Sequence, residues 1–223
     1  MKITEEIKKA NKEKTITRSY PAEFRASEEE EKKGNTIVGM PIVFDKKTNL
    51  GFFEEVIERG ALDEADLNDV LFFVNHDTSK IPLARSKKKN KESTMSMEIT
   101  DEGLKIEAKL DTENNSDARN LYSAVSRGDI DGMSFMFRID DEEWENLESD
   151  LPLRRIKKIA VVHEVSAVSF PAYEATSIDA RNLLVDANKK TVDAARAKVV
   201  DATNTNDSLE LEKLKIKLLY GGK

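Results

Sequence analysis

Strand-like segments recur along this chain from Thr36 to Phe170, and their density restricts it to a sheet-rich fold. Each is a short run of β-branched, aromatic or alternating apolar residues. The runs are TIVGMPIVF, FFEEVI, VLFFV, STMSMEIT, GLKIEAKL, GMSFMFRI and IAVVHEVSAVSF. A chain with about seven such strands is typical of a barrel or a strongly bent sheet. We therefore predict an α+β fold, mainly β, in which about seven strands form a barrel or a strongly bent sheet.

One segment between the fifth and sixth runs has helical periodicity instead. The stretch SDARNLYSAVSRG repeats apolar residues at helical spacing, at Ala118, Leu121, Tyr122 and Val125. Asn115 or Ser116 can cap its start, and Gly128 can end it. The pattern predicts a helix packed on the sheet.

The composition changes towards both ends of the 223-residue chain, which indicates one core with extensions. Residues 1–17 are rich in Lys and Glu and form a predicted N-terminal extension. We assign residues 18–181 to the folded domain and 182–223 to a linker and an amphipathic helix. In that last segment DATNTNDS has the composition of a linker, and LELEKLKIKLLY has a helical apolar face. Such terminal extensions are expected to be helical or flexible.

Charge and residue usage exclude several classes of function. Acidic residues outnumber basic ones by 43 to 36, and the net charge of −7 disfavours a nucleic-acid partner. Because the chain has no cysteine, it has no disulfide and no thiolate metal site. The apolar stretches are too short for a membrane span, and MKITEEIKKANKEK lacks a signal peptide's apolar centre. We expect a soluble intracellular protein.

Ser134 interrupts the apolar run DGMSFMF, and a hydroxyl in a buried strand needs a partner or a role. Strand alternation places Ser134, Met136 and Arg138 on one face, away from the phenylalanines. A nucleophilic serine needs a base and a third group that orients the base. The chain has two histidines, His76 after VLFFVN and His163 before Glu164. Since neighbouring strand residues face opposite ways, only one of His163 and Glu164 can join Ser134 and His76.

Other interpretations of these residues remain open on pattern alone. A serine in an apolar strand commonly bonds to the backbone, and a lone histidine commonly caps a turn or bonds to a neighbour. Met136 stands where a G-x-S-x-G elbow requires glycine, which disfavours an α/β-hydrolase. His76 and His163 lack a third spaced ligand, so a metal site is not expected.

Three motifs in order give these residues a context: VNHD at 74–77, GDIDGMSFMF at 128–137 and HEVSAVSFPAYEATS at 163–177. Together with FFEEVIERGAL and IPLAR, they resemble the prohead (procapsid maturation) proteases of tailed bacteriophages, which are similar in fold to the herpesvirus assembly proteases. The resemblance spans roughly residues 20–181.

The resemblance implies a serine endopeptidase that is built on a bent β-barrel flanked by helices and needs no cofactor. His76 would be the general base, Ser134 the nucleophile and Glu164 the third member, with His163 as the alternative because the herpesvirus enzymes use a second histidine. Arg85 or Arg138 could assist at the oxyanion, although an ion pair is the expected role of each.

The same resemblance implies partners and a location. The substrates would be the scaffold protein, or the scaffolding segment of the major capsid protein, and the protease itself. Cleavage would take place inside the procapsid, in the host cytoplasm, and the enzyme would be a homodimer. Residues 182–223 would be removable by self-cleavage. The alternatives are a non-catalytic scaffold-binding or capsid-binding protein of the same fold, and a metal-dependent hydrolase that uses His76 and His163.

Overall fold

The computed structural model describes residues 15–21, 23–27, 29, 35–87, 93–169 and 187–200. Within these ranges the chain forms eleven strands and two helices. The fold is mainly β, as the sequence predicts. The strands are β1 (Thr15–Pro21), β2 (Phe24–Ala26), β3 (Thr36–Val43), β4 (Thr48–Asn49), β5 (Glu54–Ile57), β6 (Asp69–Val74), β7 (Ala84–Lys87), β8 (Met95–Ile99), β9 (Gly103–Lys109), β10 (Gly132–Glu145) and β11 (Leu153–Val168). Helix α1 is Ser116–Ser126, and helix α2 comprises residues 187–200.

The strands form two sheets. In the larger sheet the order is β1, β10, β11, β5 and β4, and β11 also pairs with β6, which carries β7 on its other side. The smaller sheet has the order β2, β3, β9 and β8. Each of the seven runs found in the sequence overlaps one of these strands. β1 begins at Thr15, inside the segment that the sequence assigns to the N-terminal extension.

The expected barrel is not confirmed, because neither sheet closes on itself within the described residues. β10 and β11 form one long antiparallel hairpin. The beginning of β11 pairs in parallel with β5, whereas its end pairs in parallel with β6. Two different strands, β5 and β6, therefore pair with the same edge of β11. Beyond β11 the larger sheet divides into two branches and, within the described ranges, does not close.

The main core brings together side chains of both sheets and α1. Met133, Phe135, Phe137 and Ile139 of β10 are all buried in this core, on the face that strand alternation predicts. The two sheets approach closely at Gly39 of β3, where a Cβ atom would lie 2.4 Å from the Met133 sulfur. Glycine is favoured at this position because a Cβ atom would collide with the Met133 side chain and, at 2.8 Å, with the Phe24 ring.

Helix α1 confirms the prediction from the sequence. The Asn115 side chain caps it by accepting hydrogen bonds from the backbone N–H groups of Asp117 and Ala118, at 2.9 and 3.3 Å. After the helix, Gly128 has φ of 76°, a left-handed conformation that favours glycine. The helix buries Ala118, Leu121 and Val125 against the sheet.

Helix α2 packs on the protein, although it lies in the segment 182–223 that the sequence assigns to a linker and tail. Val192 is buried in a second small core with Leu50 and Phe53. Arg196 donates hydrogen bonds to the carbonyl oxygens of Leu147 and Ser149, each at 2.8 Å. The predicted linker 201–208 and the amphipathic stretch LELEKLKIKLLY lie outside the described residues.

Candidate active site

His76 is held in a tight turn directly after β6. Asn75 and His76 have φ of 51° and 58°, so two consecutive non-glycine residues adopt the left-handed conformation. Such residues cost roughly 1–3 kcal/mol each and persist only where the surroundings enforce them. The Asn75 N–H donates to the Ala167 carbonyl oxygen of β11 at 2.9 Å. The turn therefore fixes the imidazole against the end of β11.

Ser134 lies on β10 with no exposed surface. Its Oγ atom is 2.5 Å from Nε2 of His76. The hydroxyl also donates to the carbonyl oxygen of Arg18 in β1 at 2.8 Å. A hydroxyl has one proton, so the Arg18 carbonyl and the His76 nitrogen compete for it.

Glu164 of β11 lies on the other side of the imidazole. Its Oε1 atom is 2.5 Å from Nδ1 of His76, and the residue is only 2% exposed. A carboxylate at Nδ1 fixes the tautomer in which Nε2 carries no proton and can accept one. The structure thus brings Ser134, His76 and Glu164 into one hydrogen-bonded array.

The array is reached from the histidine side. The His76 side chain is 22% exposed, while Ser134 and Glu164 lie beneath it in the sheet. The serine hydroxyl contacts the histidine, and the histidine contacts the carboxylate. Serine hydrolases use these three groups in the same order. The arrangement is chemically competent for acyl transfer to Ser134.

The structure does not bring His163 into this array. Its neighbour Glu164 contacts His76, whereas His163 is half-buried and has no register partner, because a bulge lies between the Val162 and Glu164 pairings with β10. Within the described residues His163 forms no hydrogen bond with His76 or Ser134. No group of three or more His, Cys, Asp or Glu residues in the described ranges could hold a metal ion.

Arg85 and Arg138 have different surroundings. Arg85 forms a two-pronged ion pair with Asp69 through Nε and Nη2, at 2.5 and 2.6 Å. Hydrogen bonding to Arg85 lowers the pKa of Asp69. The Nε atom of Arg138 is buried and has no hydrogen-bond partner within the described residues. Arg138 shares the face of Ser134, but it lies four positions further along the strand. This spacing places the two residues about 13 Å apart, too far for Arg138 to contact a group bonded at Oγ directly.

Ser166 is a site residue that the sequence analysis missed. It lies opposite Ser134 in the β10–β11 register and is fully buried. Its hydroxyl donates to Oε2 of Glu164 at 2.6 Å and accepts from the backbone N–H of His76 at 3.3 Å. Ser166 is two residues from Glu164, so strand alternation places both side chains on one face. This spacing is the feature of the sequence that could have identified Ser166.

A hydrogen-bonded Ser–His–Glu array in a β-rich fold is an arrangement typical of serine hydrolases. The sequence profile described as caudovirus prohead serine protease matches residues 21–191, which is most of the chain. The chain therefore belongs to the caudovirus prohead serine protease family.

One curated relative is the protein named prohead protease of Enterobacteria phage HK97, which is 29% identical over 130 residues. That match covers 56% of this chain and 52% of the relative, so the chain spans about half the length of the curated relative it matches. No solved structure matches, and the expected likeness to herpesvirus assembly proteases is not confirmed. No helix in the described ranges is long and apolar enough to cross a membrane.

Proposed function

We propose that this protein is a serine endopeptidase of procapsid maturation, with Ser134 as nucleophile, His76 as general base and Glu164 as the group that orients His76. The observation that carries the proposal is the pair of 2.5 Å contacts that join His76 to Ser134 and to Glu164. The family membership of the chain supports the same assignment.

In the proposed acylation step, the Ser134 Oγ attacks the carbonyl carbon of a peptide bond and its proton passes to Nε2 of His76. The imidazolium that forms is stabilised by the Glu164 carboxylate at Nδ1. His76 then gives its proton to the leaving amine as the C–N bond breaks, which leaves an acyl-enzyme. In the second step, His76 takes a proton from water as the hydroxide attacks the ester carbon. The bond between that carbon and Ser134 Oγ then breaks, the carboxylic acid product leaves, and His76 returns the proton to Oγ.

The contact of Ser134 with Arg18 affects the first of these steps. While the hydroxyl donates to the Arg18 carbonyl, its proton points away from the base. The hydroxyl must turn towards His76 before Oγ attacks. Arg18 is anchored by its side chain, whose Nε donates to the buried Glu55 carboxylate at 2.6 Å.

By the same proposal, the substrates are the scaffold protein or the scaffolding segment of the major capsid protein, and the enzyme also cleaves itself. It acts as a homodimer in the interior of the procapsid, in the host cytoplasm. The family to which the chain belongs and the name of its HK97 relative support a protease role in the prohead.

The test uses a fluorophosphonate, because this reagent reports a reactive serine without knowledge of the substrate. Oγ attacks phosphorus, the P–F bond breaks, fluoride leaves, and the proton passes to His76. We expect one adduct per chain in the wild type and none in Ser134→Ala. Ser86→Ala is the matched control, since Ser86 is a buried strand serine in β7.

Intact-mass spectrometry over time provides the second half of the test. We expect the wild type to lose defined terminal fragments that Ser134→Ala retains. If neither protein is labelled at Ser134 and both stay whole, including in assembling procapsids, the enzymatic proposal fails and the non-catalytic assembly protein takes its place.

A further inference from the structure

We infer that Ser166 is a positioning residue of the proposed catalytic site, because one hydroxyl holds both the Glu164 carboxylate and the His76 turn. The inference rests on the proposed function and extends it to a residue outside the three expected from the sequence. Ser166 is fully buried and lies directly opposite Ser134 in the β10–β11 register. It therefore contacts two members of the array and lies opposite the third.

The polarity of both Ser166 contacts is fixed by chemistry. A backbone N–H can only donate, so the Ser166 oxygen accepts from His76 at 3.3 Å. An ionised carboxylate can only accept, so the single Ser166 proton goes to Oε2 of Glu164 at 2.6 Å. Only a hydroxyl side chain of this size can make both bonds, and alanine can make neither.

The first consequence concerns the carboxylate. Glu164 is 2% exposed, so its oxygens depend on protein donors. His76 binds Oε1 and Ser166 binds Oε2, which fixes the plane of the carboxylate relative to the imidazole. Without Ser166, one buried carboxylate oxygen loses this donor and the group is free to rotate away from Nδ1.

The second consequence concerns the histidine. Asn75 and His76 both adopt the left-handed conformation, which persists only where contacts with the surrounding structure hold it. Two consecutive N–H groups of this turn donate to β11, one to the Ala167 carbonyl at 2.9 Å and one to Ser166. Ser166 therefore contributes to the position of the imidazole as well as to that of its carboxylate partner.

The kinetic test compares Ser166→Ala with Ser166→Thr and with the buried-serine control Ser86→Ala, which lies outside the array. The readout is fluorophosphonate labelling of Ser134 over a range of reagent concentrations, which separates reagent affinity from the maximal labelling rate. We expect Ser166→Ala to lower the maximal rate about 10- to 100-fold, since a buried hydrogen-bond acceptor and donor both lose their partner, with affinity unchanged. Ser166→Thr restores the hydroxyl and should recover most of the rate.

A spectroscopic test does not depend on activity. The chain contains only two histidines, so ¹⁵N-histidine labelling gives a simple spectrum, and His163→Gln assigns it. A short hydrogen bond between His76 Nδ1 and Glu164 should give a far-downfield proton resonance in the wild type. We expect this resonance to weaken or move upfield in Ser166→Ala and to stay in place in Ser86→Ala.

The outcomes separate the two proposals. If the wild type is labelled at Ser134 and Ser166→Ala reacts at the same maximal rate with an unchanged His76 resonance, the positioning role is wrong and the proposed function stands. A rate loss in Ser166→Ala that matches its loss of thermal stability, with the resonance unchanged, also overturns the role. If the wild type is neither labelled nor processed, including in assembling procapsids, the proposed function fails, and the His76 resonance alone decides whether Ser166 orients the array.

Discussion

The carbonyl oxygen of Arg18 accepts a hydrogen bond from the Ser134 hydroxyl at 2.8 Å, although Arg18 lies on the neighbouring strand β1. The same hydroxyl lies 2.5 Å from the nitrogen proposed to take its proton. One proton cannot serve both acceptors at once. The position of β1 therefore affects how readily Ser134 can be activated.

We predict that loosening β1 raises the reactivity of Ser134. Arg18→Met keeps an apolar stem at this position but removes the ion pair with Glu55. If the carbonyl then recedes, His76 is the remaining acceptor, and labelling by a fluorophosphonate should become about 2- to 10-fold faster. The labelling rate is measured well below the melting temperature. A slower rate in this variant would mean that the carbonyl supports the active geometry instead of competing with it.

A second prediction decides between Glu164 and His163 as the third member. Glu164→Gln replaces the carboxylate by an amide that cannot stabilise the imidazolium, so labelling of Ser134 should fall by about 10²- to 10⁴-fold. His163→Gln should leave the rate within about twofold, because within the described residues His163 forms no hydrogen bond with His76 or Ser134. The result that contradicts this assignment is a large loss in His163→Gln with near-normal labelling in Glu164→Gln.

The sequence predicted strand positions well where apolar residues alternate. It placed the sixth run at GMSFMFRI and the seventh at IAVVHEVSAVSF, but β10 continues to Glu145 and β11 begins at Leu153. Most of these extra residues are charged, and local periodicity does not identify them as strand. Their charges pair across the hairpin, as in Arg155 with Glu145 and Lys157 with Glu143, and this pairing stabilises the ladder.

In the candidate site, too, some residues are recognisable from local sequence motifs, and others only from contacts between strands distant in sequence. His76, Ser134 and Glu164 were candidates from their motifs, but strand parity alone could not choose between Glu164 and His163. The choice depends on the pairing of Glu164 with Leu71, which brings the end of β6 beside β11. Ser166 and the Arg18 carbonyl act through contacts distant in sequence, and neither belongs to a motif.

A third prediction concerns the buried charges beneath β1. Glu55 has no exposed surface and binds Arg18 at 2.6 Å and Arg154 at 3.1 Å. Breaking a buried ionic cluster leaves charge without compensation, so Glu55→Ala should lower the free energy of unfolding by about 3–5 kcal/mol. Urea denaturation measures this loss. Glu54→Ala is the matched control on the same strand, and its partly exposed pair with Lys47 should contribute less than about 1 kcal/mol. Equal losses in the two variants would argue against a buried cluster.

The fourth prediction is a pH dependence at the exposed pair of Asp69 and Arg85. Hydrogen bonding to Arg85 lowers the pKa of Asp69 below its ordinary value of 3.8. A lowered pKa in the folded state stabilises the protein above the unfolded value, and the benefit disappears as the pH falls through the folded value. The melting temperature of the wild type should therefore be slightly higher than that of Asp69→Asn at neutral pH. This difference in melting temperature should shrink below pH 3.8. A difference in melting temperature that grows as the pH falls would contradict a lowered pKa of Asp69.

The last prediction concerns helix α2 and the only tryptophan of the chain. Trp144 packs on Phe53 with ring centroids 5.1 Å apart, and Val192 of α2 buries its side chain in the same small core. Val192→Asp places a charge in that core, so α2 should detach, the Trp144 fluorescence should shift to longer wavelength, and the melting temperature should fall.

The exposed neighbour Asp193→Ala controls for a change on the same helix and should alter neither signal. Self-cleavage that removes residues 182–223, as the resemblance implies, would take α2 away with them. The processed protein should then show the red-shifted fluorescence of Val192→Asp. If Val192→Asp leaves both fluorescence and melting temperature unchanged, the docking of α2 does not contribute to the stability of the fold.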